Sequence, residues 1–436
     1  MTQTLVAPGT APCLDDLWQI LPEEAGSNEQ GELTIGGCSA VELAKTFGTP
    51  LHVIDETGLR RQMRRFVDGL ASRWPNSEVL FASKSLPAVA MYAIAAAEGL
   101  CLDVAGAGEI RLALAAGVDP GRIFLHGNAK SREDLELALR VGVGTIIIDN
   151  FDDIDRLEQM VTAPQSVLLR VIPEVQADTH ASIFTGGKES KFGLPLEQAA
   201  EAIGRITQHP LLQFDGVHVH IGSQILDARP FGEAVAAVSS IGQFPVYDVG
   251  GGLGVKYTFG DQPPTVEEYL DSITAAARTY LPADAKILIE PGRSVVARAG
   301  ITLYQVSTIK ETAKTFVAVN GGLADLINVA LTGQRYEPVV ANRLHEPWDT
   351  RAQIVGRQCE SGDLMVDNAL ISAPRLGDTI ALAATGAYSY TFSNNYNGAL
   401  KPAIVFVADG EPRLAVRRES YEDLLRCHEP AGNITW

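Results

Sequence analysis

Eight short β-rich runs recur along the middle of this chain, separated by stretches with helical periodicity, and no other feature restricts the fold so strongly. The runs cover residues 79–82, 102–104, 123–126, 145–149, 167–171, 217–221, 246–249 and 287–290, with amphipathic stretches such as 107–116, 132–141 and 152–160 between them. Eight βα units in succession predict a closed (β/α)8 barrel of the TIM type rather than an open doubly wound sheet. After Arg298 the texture changes to alternating strands with turns, at 301–309, 315–319, 352–355, 379–383 and 403–407. That change predicts a separate C-terminal β domain, completed from the N-terminal side by the strand-like piece at 51–54. The expected division is a loose N-terminal arm over 1–33, a contribution to the β domain over 34–56, the barrel over 57–298 and the β domain over 299–436.

Composition narrows the function classes. Lys+Arg 35 against Asp+Glu 53 leaves a net charge of −18, which argues against a nucleic-acid footprint or an anionic membrane surface. Five scattered cysteines without CxxC spacing are neither a disulfide framework nor a zinc site, and predict a reducing cytosol. No basic segment followed by an apolar one opens the chain, and the alanine-rich run at 88–97 is too short to span a bilayer. The expectation is a cytoplasmic protein.

In such a barrel, chemistry sits at the C-terminal ends of the strands, with phosphate commonly held after strands seven and eight. Strand seven ends in Gly250, Gly251 and Gly252, and strand eight in Glu290, Pro291, Gly292 and Arg293. Successive glycines let backbone N–H groups approach an anion, and Arg293 adds a charge-assisted fork. Neither this stretch nor the one from Gly106 fits a dinucleotide fingerprint.

Strand one ends at Lys84, with no acidic residue within several positions, so its amine is expected to be poorly solvated, with a lowered pKa and nucleophilic character. A lysine whose stem packs while its head reaches water fits the same pattern. The strand ends also carry Asp103, His126, Arg170, His220 and Glu290. A lysine, a phosphate cradle and a carboxylate in one barrel mouth suggest pyridoxal 5′-phosphate: Lys84 for the Schiff base, the cradle for the phosphate, Glu290 for the ring nitrogen. His218 and His220, at i and i+2 on one strand, also resemble the start of a metal site. No second metal motif accompanies them and the glycine loops would go unexplained, so no metal is expected.

Several motifs together resemble the diaminopimelate decarboxylases, which belong with the ornithine decarboxylase and alanine racemase barrels. They are Phe81-Ala82-Ser83-Lys84, Asp103-Val104-Ala105 with Glu109, His126-Gly127-Asn128, Lys191-Phe192-Gly193 and His218-Val219-His220-Ile221-Gly222-Ser223-Gln224. Gly250-Gly251-Gly252, Glu290-Pro291-Gly292-Arg293, Cys359-Glu360-Ser361-Gly362-Asp363 and Ala387-Tyr388 with Ser393-Asn394-Asn395-Tyr396-Asn397 complete the set, in order from about residue 35 to 410. The resemblance implies a pyridoxal phosphate-dependent decarboxylase that converts meso-diaminopimelate to L-lysine and CO2. It implies that His220 stacks on the cofactor ring and that Ser223, Gly250, Gly251, Gly252, Gly292, Arg293 and Tyr388 surround the phosphate and the substrate, with Asp103 beside the cofactor. It further implies a head-to-tail homodimer in which Cys359, the acid that protonates Cα, and Glu360, partner of the distal ammonium, reach the other subunit's site.

The chain departs from the family at one place. Diaminopimelate decarboxylases usually carry an arginine where this chain has Asn328 and a tyrosine where it has Thr332, and in the family those two bind the distal carboxylate. Losing a charge-assisted partner there costs on the order of 2–4 kcal/mol, or ~30- to 1,000-fold. Either Arg293, Arg335 or Arg343 substitutes, or the substrate differs and the chain is a same-fold decarboxylase of another amino acid. A metal-dependent or non-catalytic barrel is the remaining reading.

Overall fold

The computed structural model describes residues 13–175 and 190–429. Eight parallel strands close into a barrel: β1 (Ser77–Ala82), β2 (Cys101–Val104), β3 (Ile123–Leu125), β4 (Thr145–Ile148), β5 (Gln165–Ile172), β6 (Leu212–His218), β7 (Val246–Asp248) and β8 (Lys286–Ile289). Closure is made where β8 pairs with β1, Ile287 opposite Ser77, so the sheet has no free edge there. Helices form where the sequence supplies both an apolar face and caps. Arg132–Val141 starts on a Ser131/Asp134 capping box and stops at Gly142 in the left-handed region, and Val266–Tyr280 starts on a Thr265/Glu268 box.

One interior layer decides where the chemistry lies. Leu80, Cys101, Phe124, Ile147, Leu168 and Leu288 form a buried cluster inside the barrel, with Val246 packed against it. Side chains two residues apart on a strand face the same side. The positions two beyond Cys101, Phe124, Ile147, Leu168, Val246 and Leu288 are therefore Asp103, His126, Asp149, Arg170, Asp248 and Glu290, all buried. An apolar plug below thus sets a ring of ionisable groups above it.

The second domain is a β structure built on the twelve-residue strand Gly300–Glu311. That strand pairs antiparallel with Thr315–Val319, Thr379–Leu382 and the N-terminal strand Leu51–Asp55, which in turn runs parallel to Ala403–Ala408. The completion of the β domain by N-terminal residues is thus as expected. Three further strands, Pro338–Val340, Leu364–Ile371 and Glu411–Val416, were not expected. Register shifts interrupt the pairing of Leu364–Ile371 with Thr350–Val355, which blurs the two-residue alternation a strand is read from.

Residues 13–33 are packed rather than loose. Leu17, Ile20 and Leu21 are wholly buried in one cluster with Ile301 and Leu303, and Ala25–Ser27 pairs with Leu33–Ile35. The apolar residues of this segment are too few to show a period, and their partners are nearly 300 positions away. Among the described residues, no helix is long and apolar enough to cross a membrane.

Candidate active site

A cavity of about 550 Å³ opens at the C-terminal ends of the barrel strands and is roofed by the β domain. Lys84 lies in it because β1 stops at Ala82 and a single 3-10 turn, Ser83–Ser85, swings the side chain into the barrel mouth. That turn is fastened from within, Ser85 Oγ donating to the Ala82 carbonyl at 2.8 Å, and from the β domain. There, Tyr388 N donates to the Ser85 carbonyl at 2.9 Å and Thr391 Oγ1 to the Lys84 carbonyl at 2.9 Å.

The electrostatics of Lys84 reverse the expectation drawn from its sequence neighbours. Its side chain is open to the cavity yet deep in the mouth. Burial works against the ammonium, but the charges of Asp103, Tyr388 and Glu290 outweigh burial and raise its pKa above the usual lysine value. The acids missing from its own segment arrive from β2 and β8.

Glu290, at the end of β8, is the group those strands are arranged around. His126 Nε2 lies 2.9 Å from Glu290 Oε1, and His218 Nε2 lies 3.3 Å from Oε2. Burial pushes the Glu290 carboxyl up, but the two imidazoles prevail and hold it well below the usual carboxylate range. Burial and the Glu290 charge drive Asp248 well above that range, and burial lowers His218 to about 4. At neutral pH, Glu290 is therefore ionised beside a neutral His218, and Asp248 holds its proton more readily than an ordinary carboxyl. The contact of Oε1 with His126 is off the line of a hydrogen bond, which leaves Glu290 Oε1 buried without a hydrogen-bond partner.

Across the mouth, Gly250 and Gly252 adopt φ of +66° and +119°, and a Cβ on Gly252 would come within 2.5 Å of the Gly222 carbonyl oxygen. Gly251 N donates to His220 Nδ1 at 3.2 Å, so the imidazole and the glycine turn hold each other. Burial keeps His220 well below its ordinary pKa and hence neutral. The guanidinium of Arg293 donates to Ser223 Oγ at 3.2 and 3.1 Å and to Tyr257 Oη at 2.6 Å, and lies 4.7 Å from the centre of the Tyr388 ring.

Asp103, His220, Ser223, Gly252, Glu290, Gly292, Arg293, Asn328, Thr332 and Tyr388 all line the cavity with Lys84. Gly250 and Gly251 stand behind it. Cys359 and Glu360 are exposed and outside it, Cys359 N donating to Asn397 Oδ1 at 2.8 Å. Of the two arginines considered beside Arg293, Arg335 is exposed and outside the cavity lining, while Arg343 is held by Asp378 and Glu346. Sequence reading did not single out Asp149, Asp248, Tyr257 or Tyr336; a two-residue count from the interior layer would have found the two aspartates. Among the described residues, the one cluster with metal-ligand character is His126, His218 and Glu290, donor atoms within 4.8 Å of one another, and it omits His220.

Comparison with known proteins follows the same lines. The family model described as "Pyridoxal-dependent decarboxylase, pyridoxal binding domain" matches residues 57–297. The chain belongs to the pyridoxal-dependent decarboxylases. It is 41% identical over 423 residues to the diaminopimelate decarboxylase of Bacillus subtilis, covering 92% of this chain and 96% of the relative. The crystal structure of diaminopimelate decarboxylase from M. jannaschi superposes with a TM-score of 0.88 at 27% identity, over 95% of this chain and 99% of that one. That of the Helicobacter pylori enzyme complexed with L-lysine gives 0.83 at 30% identity, over 88% and 98%.

The residues of this pyridoxal-dependent decarboxylase fit the cofactor on their own evidence. An ionised Glu290 whose Oε1 has no aligned hydrogen bond suits a protonated ring nitrogen, an accessible lysine amine suits the cofactor aldehyde, and the turn at Gly250–252 with Ser223 and Arg293 suits a phosphate.

Proposed function

We propose that this decarboxylase removes one carboxylate of meso-diaminopimelate to give L-lysine and CO2. The observation that carries the reading is the placement of Lys84 and an ionised Glu290 in one cavity beside a glycine cradle, in a chain 41% identical to a diaminopimelate decarboxylase. When bound, pyridoxal 5′-phosphate supplies an electron sink for the pair left on Cα as CO2 departs.

The chain's own groups do the rest. Lys84 Nζ would hold the cofactor and, once released, would carry protons at that nitrogen. Glu290 would keep a proton on the ring nitrogen, and His126 and His218 keep Glu290 ionised. The Gly252 backbone N–H, Ser223 and Arg293 would hold the phosphate, and His220, which fixes the glycine turn by accepting from Gly251 N, would orient the ring. Asp103 adds negative charge beside Lys84.

Cys359 and Glu360 face solvent in a single chain, and their proposed work requires a head-to-tail homodimer that carries them into the partner's cavity. There Cys359 Sγ returns a proton to Cα and Glu360 receives the distal ammonium. A cytosolic location agrees with five cysteines that are all unpaired.

The test is CO2 release by the cofactor-loaded protein from meso-diaminopimelate, L-lysine, L-ornithine and L-arginine. Selective release from the first is expected. Asn328 and Thr332 favour a second reading, a same-fold decarboxylase of another amino acid, and efficient turnover of a substrate without a distal carboxylate would establish it instead.

A further inference from the structure

The β-domain wall of the cavity holds a buried polar group that nothing in the proposed chemistry uses. Asn328 opens the short helix Asn328–Thr332, is 3% exposed and lines the cavity. Its Nδ2 donates to Tyr336 Oη, while its Oδ1 is buried without a hydrogen-bond partner. Native structures rarely leave such an atom unpaired, because the desolvation of a carbonyl is then uncompensated.

The surroundings fix the amide rather than satisfy it. Tyr336 is 2% exposed and meets Tyr257 edge-on at 5.4 Å, and Tyr257 accepts from Arg293, so the amide stands at the end of a packed row leading from the cradle. Thr332 Oγ1 donates to the Asn328 backbone carbonyl and is not turned toward the side chain. A neutral carbonyl acceptor pairs with a donor and repels a carboxylate.

Resting on the reading of this cavity as an amino-acid site, we infer that Asn328 is a specificity-determining residue whose Oδ1 accepts a hydrogen bond from the distal ammonium of the substrate. The wall reads an N–H donor, not a carboxylate. A site that hydrogen-bonds a substrate N–H rejects the analogue lacking it more strongly than an apolar pocket rejects a missing methylene, since the acceptor is left unpaired.

The experiment compares two substrate pairs differing only in the distal amine, meso-diaminopimelate against 2-aminopimelate and L-lysine against norleucine, on the holoenzyme and on Asn328→Leu and Asn328→Asp. The wild type should favour the amine-bearing member by at least ~30-fold in kcat/KM, mostly through KM. Asn328→Asp, which keeps an acceptor, should preserve that ratio, and Asn328→Leu should reduce it at least about fivefold, leaving only the share owed to Glu360. Calorimetric binding of L-lysine and norleucine to the same proteins reads the discrimination without turnover, and unchanged cofactor absorbance and Tm confirm that the variants fold. An unchanged ratio in Asn328→Leu overturns the inference. So does an Asn328→Asp protein that loses only the ligands with a distal carboxylate, since Nδ2 would then face the substrate. Turnover of lysine but not diaminopimelate, with the Asn328 pattern intact in the lysine pair, supports the inference while overturning the diaminopimelate reading.

Discussion

On the barrel side of the cavity, Asp103, Arg170 and Glu290 each stand two residues beyond an interior apolar residue of their own strand. On the β-domain side, Asn328, Thr332 and Tyr388 come from a short helix and a turn that share no period, and Tyr388 sits in the left-handed region at φ +59°. The first wall is positioned by strand register, which the barrel cannot shift without moving its whole core. The second is positioned by the docking of one domain on another, through contacts such as Tyr388 N to the Ser85 carbonyl. The barrel wall should therefore carry the chemistry common to its relatives, and the β-domain wall the features peculiar to this chain.

Perturbing the barrel wall should have the largest effects. Lys84→Ala should lower decarboxylation by at least about 10³-fold, measured as CO2 release from the loaded protein, because a covalent anchor and a proton carrier are lost together. A near wild-type rate would break the comparison at its strongest point. Glu290→Gln, which removes the ionised partner of the ring nitrogen but leaves its shape, should cost ~10²–10³-fold in kcat with the protein still folded.

On the β-domain wall the expected effect is on stability and its pH dependence. Asp325 precedes the Asn328 helix, accepts from Tyr304 Oη at 2.7 Å, and is pushed up to about 7 by burial, with Asp363 adding to the rise. A carboxyl raised in the folded state binds more protons there than when unfolded. Its stabilising contribution is complete below pH 3.8 and is lost as the pH rises towards about 7. Asp325→Asn should remove that slope, so that the variant gains on the wild type by about 2–4 kcal/mol between pH 4 and pH 7 in denaturant titrations. Parallel curves would refute this.

The smallest effect should lie at the seam between the regions. Arg413 on the β domain pairs with Glu56 of the first barrel helix at 2.7 Å, with the arginine side chain 53% exposed. Arg413→Ala should cost under ~1 kcal/mol, and less in high salt. A larger loss would mean that surface pairing, rather than the buried contacts at Ser85, aligns the two walls.

What could be read from the residues alone follows the same division. The eight βα units and the motifs at their ends specified the barrel, the cofactor class and most of the cavity lining, because strand period and glycine turns are local properties. Strands Leu364–Ile371 and Glu411–Val416 were not legible because register shifts interrupt their pairing with neighbours close in the chain, and the packing of Leu17 and Ile20 was not because their partners are nearly 300 positions away. The state of Lys84 was misjudged for a related reason: a charge responds to neighbours in space, and Asp103 and Glu290 reach it only when β1, β2 and β8 are side by side. The sequence by itself determined which groups this protein possesses and the periodic scaffold that repeats them. Tertiary structure alone decided which are ionised, that Arg343 is held elsewhere by Asp378 and Glu346, and that Asn328 stands in the cavity lining with a buried, unpaired acceptor, because hydration and electrostatic fields depend on three-dimensional distance rather than on position along the chain.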